Sequence, residues 1–360
     1  MTTLRFLTAG ESHGPALLSI LEGMPAGLSL SEEIINKDLA RRQRGFGSGD
    51  RMKIEHDKCE LLCGVMAGKT TGAPIGMMIK NKDHANWKNK PVPSRTIPRP
   101  GHVDLAAAIK YNYDDLRPGL ERASARETAA RVAIGAVCKQ FLSHLEIKIG
   151  GYVRSIGSVE TDLSNLSLEV RSANAEQNDV RCPDPYAAES IRKEISQATE
   201  EGETLGGVIE VFGLNLTTGL GSHVHWDRKL DSRLAQAVMS IPAIKGVEIG
   251  SAFENTRKSG TAVQDPILPR DNFISRNQNA AGGMEGGITN GQPIIIRAAM
   301  KPISTTRKPQ QSVDLVNGKK HKMIYERSDV CPVPRAVVVV EAMAGLDATV
   351  YVPIVDFKFT

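Results

Sequence analysis

The chain has 360 residues, 41% of them hydrophobic and 24% charged, which suits a globular protein of one large or two ordinary domains. Forty-five basic against 41 acidic residues leave a net charge of only +4, and aromatics make up 4%, so neither a strongly basic surface nor a set of base-stacking platforms is supplied. No apolar run approaches the ~18 residues that span a bilayer, and "MTTLRFLTAG" lacks the charged and apolar regions of a signal peptide.

The first motif is Gly10-Glu11-Ser12-His13-Gly14. It spells G-x-S-x-G, the nucleophile elbow of serine hydrolases, which needs a strand before it, a helix after it and an oxyanion loop upstream. Only nine residues precede the motif, and "PALLSILEG" behind it reads as a strand, so the hydrolase reading fails. A histidine on a glycine-flanked turn remains, where backbone approaches a ligand closely.

Further along, Ser31 is placed to cap a helix with Glu32 and Glu33 in its first turn and Arg41 and Arg42 in its last, ending near Gly45. "PIGMMIK" reads as a strand. "RPGHVD" puts His102 where a helix begins, a candidate general acid. Ser124-Ala-Arg-Glu127 spells a capping box opening the Ala-rich "ETAARVAIGAVCKQFL". Asp184-Pro185 is an N-cap followed by proline at the first helical position, with the helix ending near Gly202. "GVIEVFGL" reads as a strand, and Asp227 starts a helix with Leu230, Leu234 and Val238 on one stripe. "GVEIGSAF" and "PIIIRAAM" read as strands, and "AVVVVEAM" permits strand or helix. The irregular alternation predicts an α+β fold with sheets packed on helices, not a doubly wound parallel sheet. No linker interrupts the chain, so residues 1–360 are expected to form a single domain. "GKTTGAPIGMMIK" and "GITNGQPIIIRAA" share T-x-G-x-P-I leading into an apolar strand, with "GETLGGVIEV" a looser third copy. This echo predicts a duplication whose halves mirror each other.

Cys59, Cys63, Cys138, Cys182 and Cys331 are odd in number and unpatterned, which reads as reduced thiols in a cytoplasmic protein. His223-x-His225 lacks a third ligand, so no metal site is expected, and His56, His84, His144 and His321 read as surface residues. Arginines gather beside glycine-rich turns: Arg41, Arg42, Arg44 and Arg51; Arg95 and Arg99; Arg117, Arg122, Arg126 and Arg131; Lys301 and Arg307; Arg327 and Arg335. A guanidinium binds carboxylate or phosphate bidentately, and glycine lets backbone N–H groups approach. Five such groups point to a multiply charged small ligand or to nucleic acid. "NAAGGMEGGITNG" has neither a P-loop lysine nor a dinucleotide fingerprint, yet it suits a flat cofactor, and "KPIST" adds a cation and two hydroxyls.

Eleven of these segments, in order, resemble the chorismate synthase family: "LTAGESHGPAL", "DLARRQRGFGSGDRMKIE", "GKTTGAPI", "NKDHANW", "RPGHVDLAAAIKY", "LERASARETAARVAIGAV", "GLGSHVHWDRKLD", "IPAIKGVEIG", "NAAGGMEGGITNGQPI", "KPIST" and "RSDVCPVP". The resemblance implies helices sandwiched between antiparallel sheets with internal pseudo-symmetry, a helix for "AVVVVEAM", and a homotetramer. It implies a lyase that eliminates phosphate, 1,4-anti, from 5-enolpyruvylshikimate 3-phosphate to give chorismate, requiring reduced FMN, with NADPH as a possible reductant. A different reduced-flavin enzyme on the same scaffold, or a nucleic-acid binder, is the alternative.

Residue by residue, the resemblance implies His13 as the acid assisting the departing phosphate and His102 as the group beside the reduced flavin. Asp329 takes part in removing the C6 proton, and Ser12 and Ser124 relay protons. Arg42, Ser48 and Arg51 fall at positions for substrate or NADP. Arg122, Ala123, Ser124, Pro242, Ala243, Gly286, Lys301, Pro302, Ile303, Ser304, Thr305 and Arg327 fall at flavin-contacting positions. Three departures stand out. Ser48 replaces a family arginine, Ser328 replaces a histidine beside Asp329, and Pro242 replaces Asn or Gln.

Overall fold

The first half of the chain opens with the antiparallel strands β1 (Arg5–Ala9) and β2 (Ala16–Glu22). Helix α1 (Glu32–Gln43) follows, then β3 (Cys59–Cys63), a short ribbon of β4 (Val65–Met66) and β5 (Lys69–Thr70), and β6 (Ile75–Lys80). Helices α2 (Asp104–Tyr111), α3 (Arg117–Arg122) and α4 (Thr128–Ser143) complete it. The second half runs through β7 (Lys148–Ile156), β8 (Val159–Glu160), α5 (Leu168–Glu176), α6 (Pro185–Glu201), β9 (Gly207–Leu214), α7 (Leu230–Met239) and β10 (Ile244–Ile249). Two ribbons, β11 (Ile267–Arg270) with β12 (Phe273–Arg276) and β13 (Met284–Glu285) with β14 (Ile288–Thr289), precede β15 (Ile294–Met300) and α8 (Val333–Tyr351). This computed structural model describes residues 4–49, 54–92, 94–270, 273–326 and 328–351.

The first sheet has the order β1-β2-β6-β3 and the second β10-β15-β9-β7-β8, every pair antiparallel. Setting β8 aside, β7-β9-β15-β10 repeats β1-β2-β6-β3 strand for strand. The repeat extends to single hydrogen bonds. Buried Thr70 takes the Leu28 N–H on Oγ1 (2.9 Å) and donates that hydroxyl to Pro25 O (2.5 Å), while its own N–H reaches Leu28 O (2.9 Å). Buried Thr289 takes the Leu220 N–H (2.9 Å), donates to Thr217 O (2.6 Å), and sends its N–H to Leu220 O (2.9 Å). The threonine of T-x-G-x-P-I thus clamps a Gly-Leu loop in each half. The third sequence copy leads into β9, the counterpart of β2 and not of β6, so it is no repeat.

Between the sheets lie the helices. α4 packs on β2 and β6, α8 on β7 and β9, and the two pack on each other. They cross where a methyl on Gly135 would overlap Ala342. Gly151 lets α8 come close to its sheet, since a Cβ there would meet Val337 Cγ1 at 3.1 Å. Burial on every side explains why "AVVVVEAM" forms a helix despite its β-branched residues: Val337, Val338 and Val340 are fully buried, and such a helix needs no amphipathic stripe.

Local expectations hold where chemistry is local. Asp184 accepts the Tyr186 N–H (2.9 Å) and Gly202 ends α6 in the left-handed region. Leu230, Leu234 and Val238 line the core. Four expectations need correction. α7 begins at Leu230 and not at Asp227, because Asp227 lies inside a separate 3-10 turn, Trp226–Arg228. Ser124 caps a 3-10 turn by accepting the Arg126 N–H (3.3 Å), while Glu127 accepts from Thr8 Oγ1 and from Arg131, whose charge-assisted bonds replace the capping box. Ser31 makes no side-chain cap; its N–H goes to Gln140 Oε1. "GVEIGSAF" leaves its strand at Ile249 and turns helical at Ala252. All five cysteines are free thiols. No helix among the described residues is long and apolar enough to cross a membrane.

Candidate functional site

The link between β1 and β2 is the GESHG turn. Gly10 has φ +107, and a Cβ there would overlap the Ala16 carbonyl, so this turn requires glycine. Asn81, just past β6, donates Nδ2 to Glu11 O (3.1 Å) and Gly14 O (2.8 Å) and fixes the turn from below. Ser12 is buried, and its N–H reaches Glu121 O at the end of α3 (3.3 Å). The His13 ring has Nδ1 3.1 Å from Ser12 Oγ and 3.7 Å from Glu121 Oε1. Its backbone N–H points at Glu121 Oε2 (3.3 Å), its carbonyl accepts from His84 Nδ1 (2.9 Å), and its ring packs on Trp87 with centroids 4.5 Å apart. The hydrogen bond with His13 holds the Glu121 carboxyl below the usual range against the opposing effect of burial. His13, His84, Trp87, Arg95, Arg117 and Glu121 line one cavity of about 280 Å³.

A second cluster surrounds His102. Its Nδ1 is 2.5 Å from Asp104 Oδ1, and Arg99 grips the same carboxylate through Nε (2.8 Å) and Nη2 (3.1 Å). Burial pushes the Asp104 carboxyl up, but the bonds from His102 and Arg99 outweigh it and hold the group well below the carboxylate range. Lys301 Nζ donates to Gly101 O (2.6 Å) and lies 3.3 Å from Ser304 Oγ, and Arg99 reaches Thr305 Oγ1 (3.3 Å). Thr305 O in turn accepts from Ser328 (3.2 Å), beside Asp329. Asp329 accepts the Gly49 N–H on Oδ1 (2.7 Å) and pairs with Arg335 through Oδ2. Burial, then Arg42 and Arg181 nearby, push the Arg335 guanidinium down to about 9.

Glu326 joins the clusters, pairing with Arg95 and lying 3.8 Å from Arg99. Burial lowers Arg95, and the Arg99 and Arg117 charges lower it further. Cations crowded this closely around a cavity form a wall that favours anions.

The structure therefore brings His102, Lys301, Ser304, Thr305 and Asp329 into one cluster, and His13 and Ser12 into the other. Ala243, with φ +68, adjoins the first by accepting the Lys301 N–H (3.0 Å), beside half-buried Pro242. Ile303 O accepts from Thr204, and Pro302 is exposed. Arg122 reaches Thr8 O and Oγ1 (2.9 Å each), with Ala123 and Ser124 next along the chain. Ser48 is turned inward, donating to Gly45 O (2.6 Å). Arg42 is buried and donates to Thr128, Ala125 and Asp57, which makes it a strut behind the turn at 125–127. Gly286, exposed at φ +60 near His223, stands apart from the others. It adjoins the start of α7 while Ala243 follows its end, and ten helical residues span about 15 Å. Arg51 and Arg327 lie outside the described residues.

Sequence reasoning passed over four groups. His84 is not merely a surface residue; it lines the cavity and holds the His13 carbonyl. Trp87 backs the His13 ring. Asp104 carries the one readable signal, an acid two residues after a histidine. Glu121 carries none, because 108 residues separate it from His13.

The donor set around Gly101 suits a phosphate-bearing, anionic cofactor: the Lys301 ammonium with the Ser304 and Thr305 hydroxyls. Gly101, with φ +73, keeps open a cradle that a Cβ would fill at 3.3 Å from Ser304 Oγ and 3.4 Å from Lys301 Nζ. Among the described residues no three His, Cys, Asp or Glu side chains group as metal ligands.

Known proteins share this architecture. The sequence model of the chorismate synthase family matches residues 4–350. A chorismate synthase from Aquifex aeolicus is 54% identical, covering 95% of this chain and 91% of its own. One from Desulforamulus reducens is 52% identical, covering 96% and 92%. A crystal structure of chorismate synthase superposes with a TM-score of 0.79 at 46% identity, covering 97% of this chain and 91% of that one. With the family's sequence pattern running from the first strand to the last helix, the chain belongs to the chorismate synthase family.

Proposed function

We propose that the family's reaction takes place in the cleft between the His13 turn and the His102 cluster. As a member of this family the chain is a lyase of the shikimate pathway, converting 5-enolpyruvylshikimate 3-phosphate to chorismate and phosphate with reduced FMN required. The substrate carries two carboxylates and a phosphate, and the cofactor adds another phosphate. The observation that carries the assignment is the set of cations, Lys88, Arg95 and Arg117, that lines the cavity containing His13, with Arg99 close behind Arg95.

His13 donates a proton to the departing phosphate oxygen, which lowers the cost of expelling it. Ser12, 3.1 Å from the ring, and Ser124, at the head of the 3-10 turn, relay protons. Asp329, paired with Arg335, takes part in removing the C6 proton. Lys301, Pro302, Ile303, Ser304 and Thr305, with Arg122, Ala123, Pro242, Ala243 and Arg327, hold the cofactor. When bound, reduced FMN supplies an electron-rich ring to the elimination, which ends with no net redox change. His102, fixed by Asp104 and Arg99, holds a proton beside that anionic ring. Arg51 and Ser48 take the substrate's or NADP's anions, and Arg42 supports the turn at 125–127 beside that role.

Residues 1–360 work as one unit, a reading supported by the core that α4 and α8 share. The unit assembles as a homotetramer in the cytoplasm. Leu7, Leu18 and Ile20 support assembly by forming an uncovered apolar face on the first sheet. A neighbouring copy is also the simplest source of a Gly286 close to the cofactor.

Anaerobic mixing of the protein with reduced FMN and substrate yields chorismate, read by its absorbance. No absorbance change would overturn the function. The same assay with NADPH and oxidised FMN shows whether the chain reduces its own cofactor. His13→Ala and His102→Ala each lower turnover by roughly 10²–10⁴-fold with the fold intact; near-parental turnover in either removes that residue's role.

A further inference from the structure

We propose that Glu121 is the positioning residue of the proton donor, holding the His13 imidazolium by Nδ1 so that Nε2 faces the cavity. This rests on the reading of His13 as the acid. Three observations at α3 carry it. The carboxylate engages His13 twice, at the ring and at the backbone N–H (3.7 and 3.3 Å). The Glu121 carbonyl also binds the Ser12 N–H (3.3 Å), so one residue of α3 fixes both the height and the rotation of the turn. The hydrogen bond with His13 is also the largest influence holding the Glu121 carboxyl below its ordinary value, so the pair is coupled from the carboxylate side.

The geometry leaves a single face for chemistry. Nδ1 looks toward Ser12 and Glu121, Trp87 covers the ring from one side, and the cavity opens on the remainder. During the elimination the Nε2 proton moves to the phosphate oxygen as the C–O bond breaks and its electron pair leaves with phosphate. His13 ends neutral, while Glu121 stays a carboxylate throughout. The charged and titratable groups facing His13 are Glu11 on its own turn, His84 and Lys88 from the segment after β6, Arg95, Glu326, and Arg117 on α3. The cations Lys88, Arg95 and Arg117 oppose a second positive charge on the ring. Glu121 offsets them, and no other carboxylate pairs with the ring among the described residues.

His102 shows the same device in tighter form, with Asp104 at 2.5 Å. The looser Glu121 contact suits a group that must give up its proton at each turnover.

The test is the pH dependence of kcat in Glu121→Gln and Glu121→Asp, with His13→Ala as reference. Gln keeps the side-chain shape and the carbonyl bond to Ser12 but removes the charge. In Glu121→Gln, kcat falls about 10- to 100-fold at neutral pH, less than on removing the acid itself, and KM stays within about twofold. The basic limb of the profile moves down by about one pH unit or more. Glu121→Asp restores part of that shift, and a histidine titration followed by NMR moves for His13 but not for His102. A purely structural role would lower kcat without moving the limb and would overturn the proposal. A parental kcat and limb in Glu121→Gln, with His13→Ala inactive, would overturn it and leave the function standing. Retained turnover in His13→Ala would overturn both the acid role and this proposal.

Discussion

In the first half of the molecule the two leading strands, β1 and β2, are joined by residues 10–15. In the second half the equivalent strands, β7 and β9, are joined by residues 157–206, which carry β8, α5 and α6. The short link is a glycine-dependent turn that presents His13. The long link is a lid: α5 lies on β7 and buries Tyr152 and Phe212 on the outer face of the second sheet. The matching face of the first sheet stays bare at Leu7, Leu18 and Ile20. One scaffold, used twice, therefore divides its work. The strands and core helices repeat, and the connections decide which half presents His13 to a cavity and which half seals its own surface. The same logic places His102 in the first-half connection between β6 and α4, a stretch of loop with three short helices and a 3-10 turn.

If the first-half connections carry the chemistry, the largest effect should come from cutting their supports. Asp104→Asn removes the acceptor that both Arg99 and His102 share, and turnover is expected to fall on the order of 10²-fold. Steady-state kinetics with saturating reduced FMN measures it, and the loss should appear in kcat before KM. A substitution of equal chemistry in the second half, at a buried acid away from the cleft, should leave turnover intact. Equal losses at both would end the division of labour.

That second acid is Asp347 on α8, and it titrates in the opposite direction. Burial pushes its carboxyl up to about 7, and Arg233, 3.5 Å away, offsets only part of this. A carboxyl raised above its unfolded value gives a contribution to stability that is complete below about pH 4 and lost as pH rises to about 7. Asp104, lowered in the fold, contributes above its unfolded value and loses that contribution as pH falls. Asp347→Asn should therefore match the parent near pH 4 and exceed it by up to about 4 kcal/mol at pH 8, because a tenfold change in an ionisation constant is worth roughly 1.4 kcal/mol. Chemical denaturation at a series of pH values reads the divergence; parallel curves would mean that Asp347 is ionised in the fold at neutral pH.

The helix crossing tests the axis between the halves. Gly135→Ala places a methyl against Ala342 and should cost about 1–3 kcal/mol of stability, measured by thermal unfolding, because two packed helices have to separate to admit it. An unchanged melting temperature would show that the core helices are not held at this crossing.

How much of this could be read from the sequence follows the range of each interaction. The Asp184-Pro185 start of α6 and its Gly202 stop were legible because a cap is satisfied within a few residues. β7 was not, since "KIGGYVRSI" has two glycines where a strand signal needs side chains. Those glycines answer to Val337 and Phe212, each remote in sequence. The capping box at Ser124 failed because Thr8, remote in sequence, and Arg131, one helical turn on, both claimed Glu127. Within the site, His13 and His102 announce themselves through glycine turns and arginine neighbours. Glu121 and His84 are known only from how the chain folds over the turn. The duplication was visible as T-x-G-x-P-I, but its meaning, a threonine clamping a loop to a ribbon, required the hydrogen bonds.

That clamp allows the closest comparison of the halves. Thr70→Val and Thr289→Val keep the side-chain volume and each remove one hydroxyl, stranding a leucine N–H and a loop carbonyl. Each should cost about 1–2 kcal/mol, and the two losses should add, because nothing links the sites. Equal stability losses would confirm that the halves are built alike. Function should then separate them. The Thr289 clamp holds the ribbon whose tip is Gly286, a position assigned to the flavin, whereas the Thr70 clamp holds a ribbon with no assigned ligand. Thr289→Val should therefore weaken FMN binding severalfold in a fluorescence titration while Thr70→Val leaves it unchanged. If both variants bind FMN like the parent, Gly286 has no part in holding the cofactor, and the second-half ribbon is scaffold like its counterpart.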